Sequence, residues 1–219
     1  MDIKEALRTG IQISAILHLV SLYAMQNEKD YIETFCPTTR QEWRAWLKEN
    51  HKLKQSVWLV QYKKLADVPS ITWREAVDEA LCFGWIDSIR KSIGDDRFMQ
   101  FFSKRKPRSN WSKINKDKVA KLIEEGLMEE AGHKSIEVSK ANGCWSLLDE
   151  VEELIIPDDL ERKFESRPGS KEYFLSLSKS LRKMMLQWII LAKRPETRQN
   201  RIIELAEHAL QGQKPKQFR

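Results

Sequence analysis

Hydrophobic periodicity divides the chain into a mixed first part and a helical second part. Ser56–Lys64 is rich in β-branched and aromatic residues and predicts a strand. Residues 85–92 and 97–104 predict two more strands, joined by the turn Ile93–Asp96 as a hairpin. After Pro107, apolar residues recur every three or four positions, which is typical of helices. The pattern predicts an α+β fold, with a small antiparallel sheet of about three strands covered by helices and a helical C-terminal segment.

Capping residues mark where the helices begin and end. Thr39 with Glu42, and Thr72 with Glu75, have the spacing of capping boxes and predict two helices in the first part. Gly84 is placed to end the second of these helices. Residues 144–156 suit either a short helix or an edge segment. Later helices are predicted to begin near Ser112 or Asn115, Met128, Pro157, Ser178 or Ser180, and Pro195, and the tail 211–219 is predicted to be polar and frayed.

An apolar stretch, Ile11–Met25, precedes the regular part of the chain. It is shorter than the roughly 20 residues that span a bilayer. Its spacing predicts an added amphipathic helix that is retained in the protein, and a cleaved signal peptide is the alternative interpretation. The predicted segments are 1–34 as an N-terminal extension, 35–145 as the core domain, 146–212 as a helical segment and 213–219 as a polar tail.

Composition limits the class of protein and its compartment. The sequence has a net charge of +6 and a pI near 9.1, which favour acidic partners. Cys36, Cys82 and Cys144 are odd in number and form no C-x-x-C motif, so reduced thiols and a cytoplasmic location are predicted, with export as the alternative if a signal peptide is present. The four histidines lack ligand spacing, and neither a metal nor a cofactor is predicted.

One stretch contains the charge imbalance. Residues 104–118, the basic strip, hold seven lysines and arginines against one acid, Asp117, which equals the whole net charge of +6. The strip precedes a predicted helix start, where free backbone N–H groups favour an anion. The predicted partner is therefore an anionic small molecule, an acidic protein or nucleic acid.

Two interpretations of the strip remain open. In the first, the guanidinium groups of Arg105 and Arg108 bind a phosphate while Trp111 offers a stacking face, with Lys113 and Asn115 close by in sequence. The alternative, which we favour, is a solvated charged turn in which Trp111 belongs to the core.

Asp87 is the acid within the most distinctive motif. With Arg90, Lys91 and Arg97 nearby in sequence, it is either a general base or, as we favour, one partner of an ion pair. Cys82 is predicted to be buried and inert. The predicted ligand-binding residues are Trp85, Asp87, Arg90, Arg105, Arg108, Trp111, Lys113 and Asn115, of which Asp87 is also a weak catalytic candidate.

Basic residues recur near the C-terminus. Arg194, Arg198 and Arg201 follow helical spacing and form a second positive face. A helix–turn–helix over 178–210 would use them on nucleic acid, whereas the apolar residues of this segment favour the core of a helical bundle.

Three motifs carry a family resemblance: ALCFGWID from Ala80, PRSxWSxxN from Pro107 and AKRPETRxxRI from Ala192. Together they resemble the bacterial YdeI/OmpD-associated, or bacteriocin-protection, family over residues 37–212. The resemblance implies a role in resistance to cationic antimicrobial peptides and association with an outer-membrane porin. It supplies no catalytic residues.

These observations predict a non-enzymatic, cytoplasmic stress or envelope-defence protein that binds an anionic partner through the basic strip. Alternatives are an enzyme that uses Asp87 with an arginine and lysine anion clamp, and a single-stranded nucleic-acid-binding module. A porin-associated envelope protein is a third. Direct capture of cationic peptides is disfavoured because the excess positive charge would repel them.

Overall fold

The computed structural model describes residues 33–219, which form two compact units. The first unit comprises residues 33–79 and 86–104, and the second comprises 80–85 and 105–219. The N-terminal helix predicted over Ile11–Met25 lies outside the described residues. Within 33–219, every helix is too short or too polar to cross a bilayer. The predicted segments 35–145 and 146–212 stay a prediction.

A four-stranded sheet gives the first unit its framework. Its strands are β1 (Thr34–Phe35), β2 (Ser56–Tyr62), β3 (Trp85–Ser92) and β4 (Arg97–Lys104), in the order β1-β2-β4-β3. β2 and β4 are antiparallel, whereas the two-residue β1 runs parallel to β2. The predicted α+β class is confirmed, and β1 adds a strand to the three that were predicted.

Alternation along β2 and β4 gives the sheet a buried inner face, because successive side chains of a strand point to opposite sides. The inner residues are Val57, Leu59 and Gln61 of β2 and Phe98, Gln100 and Phe102 of β4. Helix α1 (Arg40–Asn50) packs against this face, with the rings of Trp43 and Phe102 5.5 Å apart.

The predicted Thr72–Glu75 capping box is complete, whereas in the Thr39–Glu42 box the Glu42 carboxylate accepts from the amide and hydroxyl of Thr38. The Thr39 hydroxyl accepts a hydrogen bond from the Glu42 amide at 3.2 Å and begins α1. Helix α2 (Trp73–Cys82) begins after Thr72. The Glu75 carboxylate accepts hydrogen bonds from the Thr72 hydroxyl and backbone amide, and the Thr72 hydroxyl accepts one from the Glu75 backbone amide. The hydroxyl of Thr72, followed by its backbone amide, lowers the pKa of Glu75 below its ordinary value.

The second unit is helical. Ser112 and Ser178 accept the hydrogen bonds that begin two of its helices, and Pro195 occupies the first turn of the last one, as predicted. Its helices are α3 (Lys113–Glu124), α4 (Glu130–Ala141), α5 (Asp149–Glu152), α6 (Asp158–Glu165), α7 (Ser170–Ser176), α8 (Lys179–Ile190) and α9 (Pro195–Leu210).

Two features of this unit differ from the sequence analysis. Gly169, at φ +92°, begins α7, where only a break was predicted after α6. The tail was predicted to be frayed, and this was wrong for Phe218, whose ring lies 5.6 Å from that of Trp188 in an edge-on contact. Phe218 lies in a 3₁₀ turn, Lys216–Phe218, and Pro215 before it is buried. Apolar burial explains both results, because it outweighs the polar composition of these segments.

Two glycines of the second unit allow a close backbone approach. The amide of Glu129 donates to the Cys82 carbonyl at 3.1 Å. A Cβ on Gly132 would collide with the backbone of Cys82, and one on Gly84, whose φ is +71°, would lie 2.8 Å from the Ala131 carbonyl oxygen. Glycine is therefore required at both positions for α4 to pack against residues 82–84.

Candidate anion-binding site

The basic strip divides between the two units after its first residue. Lys104 ends β4 in the first unit, where its ammonium group donates to the Lys52 carbonyl at 2.9 Å. Residues 105–118 belong to the second unit. The strip is therefore a sequence feature whose residues have different structural roles.

Trp111 is part of the core. Its side chain is 1% exposed, and its indole N–H donates to the Ser139 hydroxyl at 2.8 Å. The prediction that Trp111 offers a stacking face was wrong, because a base cannot reach a buried ring. The alternative that placed Trp111 in the core was right.

Arg105 stabilises the turn before Trp111. Its guanidinium carbon lies 3.7 Å from the centre of the Trp111 ring, and it also donates to the Asn110 carbonyl. Its backbone amide donates to Gly84 at 2.9 Å. The geometry favours a structural role for Arg105, because the guanidinium face that would stack on a ligand is already on Trp111.

Trp145 has the exposure that Trp111 lacks. Its half-buried ring lies 4.9 Å from that of Trp111, and the ammonium groups of Lys116 and Lys140 lie 5.2 and 5.3 Å from its centre. Arg105, Trp111, Trp145, Lys116 and Lys140 form a column that we call the stack. Sequence analysis missed Lys140 and Trp145, which lie 22 and 27 residues beyond the end of the strip.

A hydrogen bond connects the stack with exposed cations of the strip. The Asn142 side chain donates to the Pro107 carbonyl at 2.7 Å and holds the turn of the strip against the segment that carries Trp145. Lys106 and Arg108, on either side of Pro107, are both exposed. Anion binding by these two exposed residues stays a prediction.

The helical half of the strip faces acids. Lys116 forms an ion pair with Asp149, and the exposed Lys113 lines a cleft of about 320 Å³. The backbone amide of Asn115 donates to the Ser112 hydroxyl at 3.3 Å and completes the cap of α3. Two lysines and four acids line the cleft: Lys113, Lys116, Asp117, Asp149, Glu152 and Glu153. Acids therefore outnumber the two strip lysines in this cleft.

Asp87 lies in the first unit and contacts neutral donors. Its carboxylate accepts hydrogen bonds from the Trp73 indole at 2.9 Å and the Gln100 amide at 3.2 Å. Arg90 lies over the Phe98 ring at 3.7 Å, and Arg97 pairs with Asp96 at 3.4 Å. The ion pair predicted for Asp87 is therefore replaced by neutral hydrogen bonds.

The structure distributes the predicted site residues over both units. Trp85 is fully buried, so a ligand cannot reach it, and Cys82 is buried as predicted, with no exposed surface. Asp87 and Arg90 belong to the first unit, and Trp85, Arg105, Arg108, Trp111, Lys113 and Asn115 belong to the second.

Two family models match separate parts of the chain. Residues 35–135 match a domain of unknown function (DUF8412), and residues 153–212 match the family described as bacteriocin-protection, YdeI or OmpD-associated. No curated protein and no solved structure is significantly similar to the chain. The predicted family is confirmed for 153–212, while the motifs at Ala80 and Pro107 lie in the part that matches the domain of unknown function.

Arginines within residues 153–212 hold the helices of this segment together. Arg198 of α9 makes two hydrogen bonds to Asp159 of α6, at 2.6 and 2.9 Å. Burial raises the pKa of Asp159, but the hydrogen bonds and charge of Arg198 outweigh it and leave the pKa below its ordinary value. Arg201 donates to the Trp188 carbonyl and lies 5.1 Å from its ring. These contacts favour the bundle core over a helix–turn–helix.

Proposed function

We propose that this protein is a non-enzymatic, cytoplasmic stress or envelope-defence protein that binds an anionic partner through the stack and the exposed end of the strip. The family description of residues 153–212, bacteriocin protection, supports the defence role. The binding residues proposed are Trp145 and Lys140, with Lys106 and Arg108 on the adjoining turn. An acidic segment of a partner protein has the required chemistry.

The observation that carries this proposal is the half-buried Trp145 ring with two ammonium groups within 5.3 Å of its centre. An indole face binds flat or apolar groups, and a nearby ammonium group attracts a phosphate or carboxylate attached to them. Lys116 is paired with Asp149, whereas Lys140 is exposed, so Lys140 has the greater share of the attraction. The ring of buried Trp111 packs against that of Trp145 at 4.9 Å.

Protection by direct capture of a cationic peptide fits the stack less well. Lys106, Arg108 and Lys140 are all exposed, and their charges would repel such a peptide. Protection through an acidic partner avoids this repulsion.

Calorimetry with two probes, ATP and a polyglutamate peptide, tests the binding role. Lys140→Ala and Trp145→Leu should each weaken binding of at least one probe by about fivefold or more. This is the lower end of the affinity loss that follows removal of a stacking or charged contact. Lys134→Ala is the matched control, because Lys134 is exposed on the same helix and has no contact with Trp145 among those described. Binding that is the same in all three variants, or absent in the wild type, would reject the stack as the site.

The defence role is tested separately in the native host. Deletion of the gene should increase sensitivity to a bacteriocin, and the wild type but not Lys140→Ala/Trp145→Leu should restore resistance. Unchanged sensitivity after deletion would reject the defence role without affecting the binding result.

A further inference from the structure

The sheet of the first unit has a second face, which is lined by half-buried aromatic side chains. Register places Trp58 opposite Phe101, Val60 opposite Met99, and Tyr62 opposite Arg97. All six are at least partly exposed, while their neighbours along each strand are buried on the inner side. We call these six residues the outer face.

Cations lie against the rings of this face. The Lys91 ammonium group of β3 lies 4.9 Å from the centre of the Trp58 ring, and the Arg97 guanidinium lies 5.7 Å from that of Tyr62. Lys91 is exposed. Arg97 is 46% exposed and forms an ion pair with Asp96 at 3.4 Å. Each aromatic position on β2 therefore has a positive charge beside it.

We infer that the outer face binds single-stranded nucleic acid. Bases of any sequence stack on aromatic rings, and nearby lysine and arginine side chains neutralise the phosphates. Trp58 and Tyr62 are four residues apart on one strand, a separation of about 13 Å, so they provide two separate stacking positions. Open four-stranded sheets with aromatic side chains are suited to splayed single strands.

Other anionic partners fit this face less well. A carboxylate-rich protein would use the cations but would leave the rings without a partner. Duplex DNA hides the faces of its bases, and a flat sheet face does not enter its grooves. Anionic lipid would favour protruding apolar anchors, whereas the Trp58 and Phe101 rings are packed edge-on against each other at 4.9 Å.

This inference is independent of the proposed function. The outer face and Lys91 belong to the first unit, whereas the stack and the exposed strip residues belong to the second. A substitution on the outer face therefore leaves the residues of the stack and the strip unchanged, and the reverse also holds.

The test is fluorescence anisotropy with a labelled oligothymidylate of about 15 nucleotides, titrated at several salt concentrations. We expect binding at low salt whose logarithm falls linearly with log salt, by about 0.7 per neutralised phosphate. Trp58→Leu should weaken it by about 5- to 150-fold with the salt slope unchanged, because stacking releases no counterions. Lys91→Ala should reduce the slope by about 0.7.

Matched variants make the result decisive. Lys64→Ala, on an exposed turn of the same unit, should bind as the wild type does, and Trp145→Leu shows whether the oligonucleotide binds to the stack instead. Thermal melts identify any loss caused by unfolding, and Lys91→Ala tests the face without changing a packed ring. Three results would each overturn the inference: absence of binding, equal binding by Trp58→Leu and the wild type, or binding of heparin as tight as that of the oligonucleotide. Binding that is lost only in Trp145→Leu would overturn it too.

Discussion

The outer face and the stack contain the same combination of side chains in opposite settings. In the stack, Arg105 lies 3.7 Å from the ring of Trp111, which is buried. On the outer face, Lys91 lies 4.9 Å from the ring of Trp58, which is half-buried, and Lys91 itself is exposed. The Arg105–Trp111 pair thus stabilises the fold, whereas the Lys91–Trp58 pair leaves a surface accessible to a ligand, as the Trp145 end of the stack does. Burial of the ring decides between the two roles.

The largest expected difference is in the tryptophans. Trp111→Ala should lower the free energy of unfolding by about 3–5 kcal/mol, because it removes a fully buried ring and leaves a cavity. Urea denaturation measures this loss. Trp111→Phe is the control that retains an aromatic ring while it loses the hydrogen bond to Ser139, and its loss should be smaller. A loss below about 1 kcal/mol for Trp111→Ala would contradict the burial of the ring.

Arg105 should come next. Arg105→Ala should lower the free energy of unfolding by about 2 kcal/mol, the value for a desolvated cation over an aromatic ring. Arg108→Ala, in the same turn but exposed, should change stability by no more than about 0.5 kcal/mol. Thermal melts of the two variants in parallel give the comparison, and equal melting temperatures would show that Arg105 is as dispensable as Arg108.

Trp58 should have an intermediate effect. Trp58→Ala should destabilise by about 1–2 kcal/mol, because the ring is only partly buried but contacts Phe101 edge-on. The same urea series that measures Trp111→Ala provides this value. If the two tryptophan variants lose equal stability, the distinction between a structural and an accessible ring fails.

Lys91 should have the smallest effect. Lys91→Ala should lower stability by about 0.5–1 kcal/mol, since its cation–π contact is exposed to solvent. Denaturation at low and high salt checks this, because the loss should shrink as salt screens the charge. A loss equal to that of Arg105→Ala would place Lys91 among the structural cations.

Local chemistry accounts for what the sequence predicted well. Thr39, Thr72, Ser112 and Ser178 cap helices through groups within four residues of themselves, so their roles are visible in a short window. The hairpin of β3 and β4 can be predicted from the sequence for the same reason, because the two strands are adjacent in the chain. The two-residue β1 escaped prediction because its pairing with β2 is a backbone contact with no side-chain pattern.

Distant contacts account for what was missed in the site. Trp111 is buried by partners such as Ser139 and Trp145, which lie about 30 residues later in the chain. The charge of the strip is reduced by Asp149 in the same way. A net charge counted along the sequence assumes that neighbours in sequence are neighbours in space, and α3 to α5 bring acids to the strip that such a count leaves out.

The chain order of the two units affects how the protein can be divided. Residues 80–85 belong to the second unit but lie within the chain of the first, so the polypeptide crosses between the units three times. A fragment that begins at Arg105 lacks the segment around Cys82 and Gly84 against which α4 packs. Cutting one peptide bond, even in the exposed turn 93–96, therefore cannot release either unit with all of its own residues. Limited proteolysis and gene truncation would consequently recover incomplete pieces, although each unit is compact.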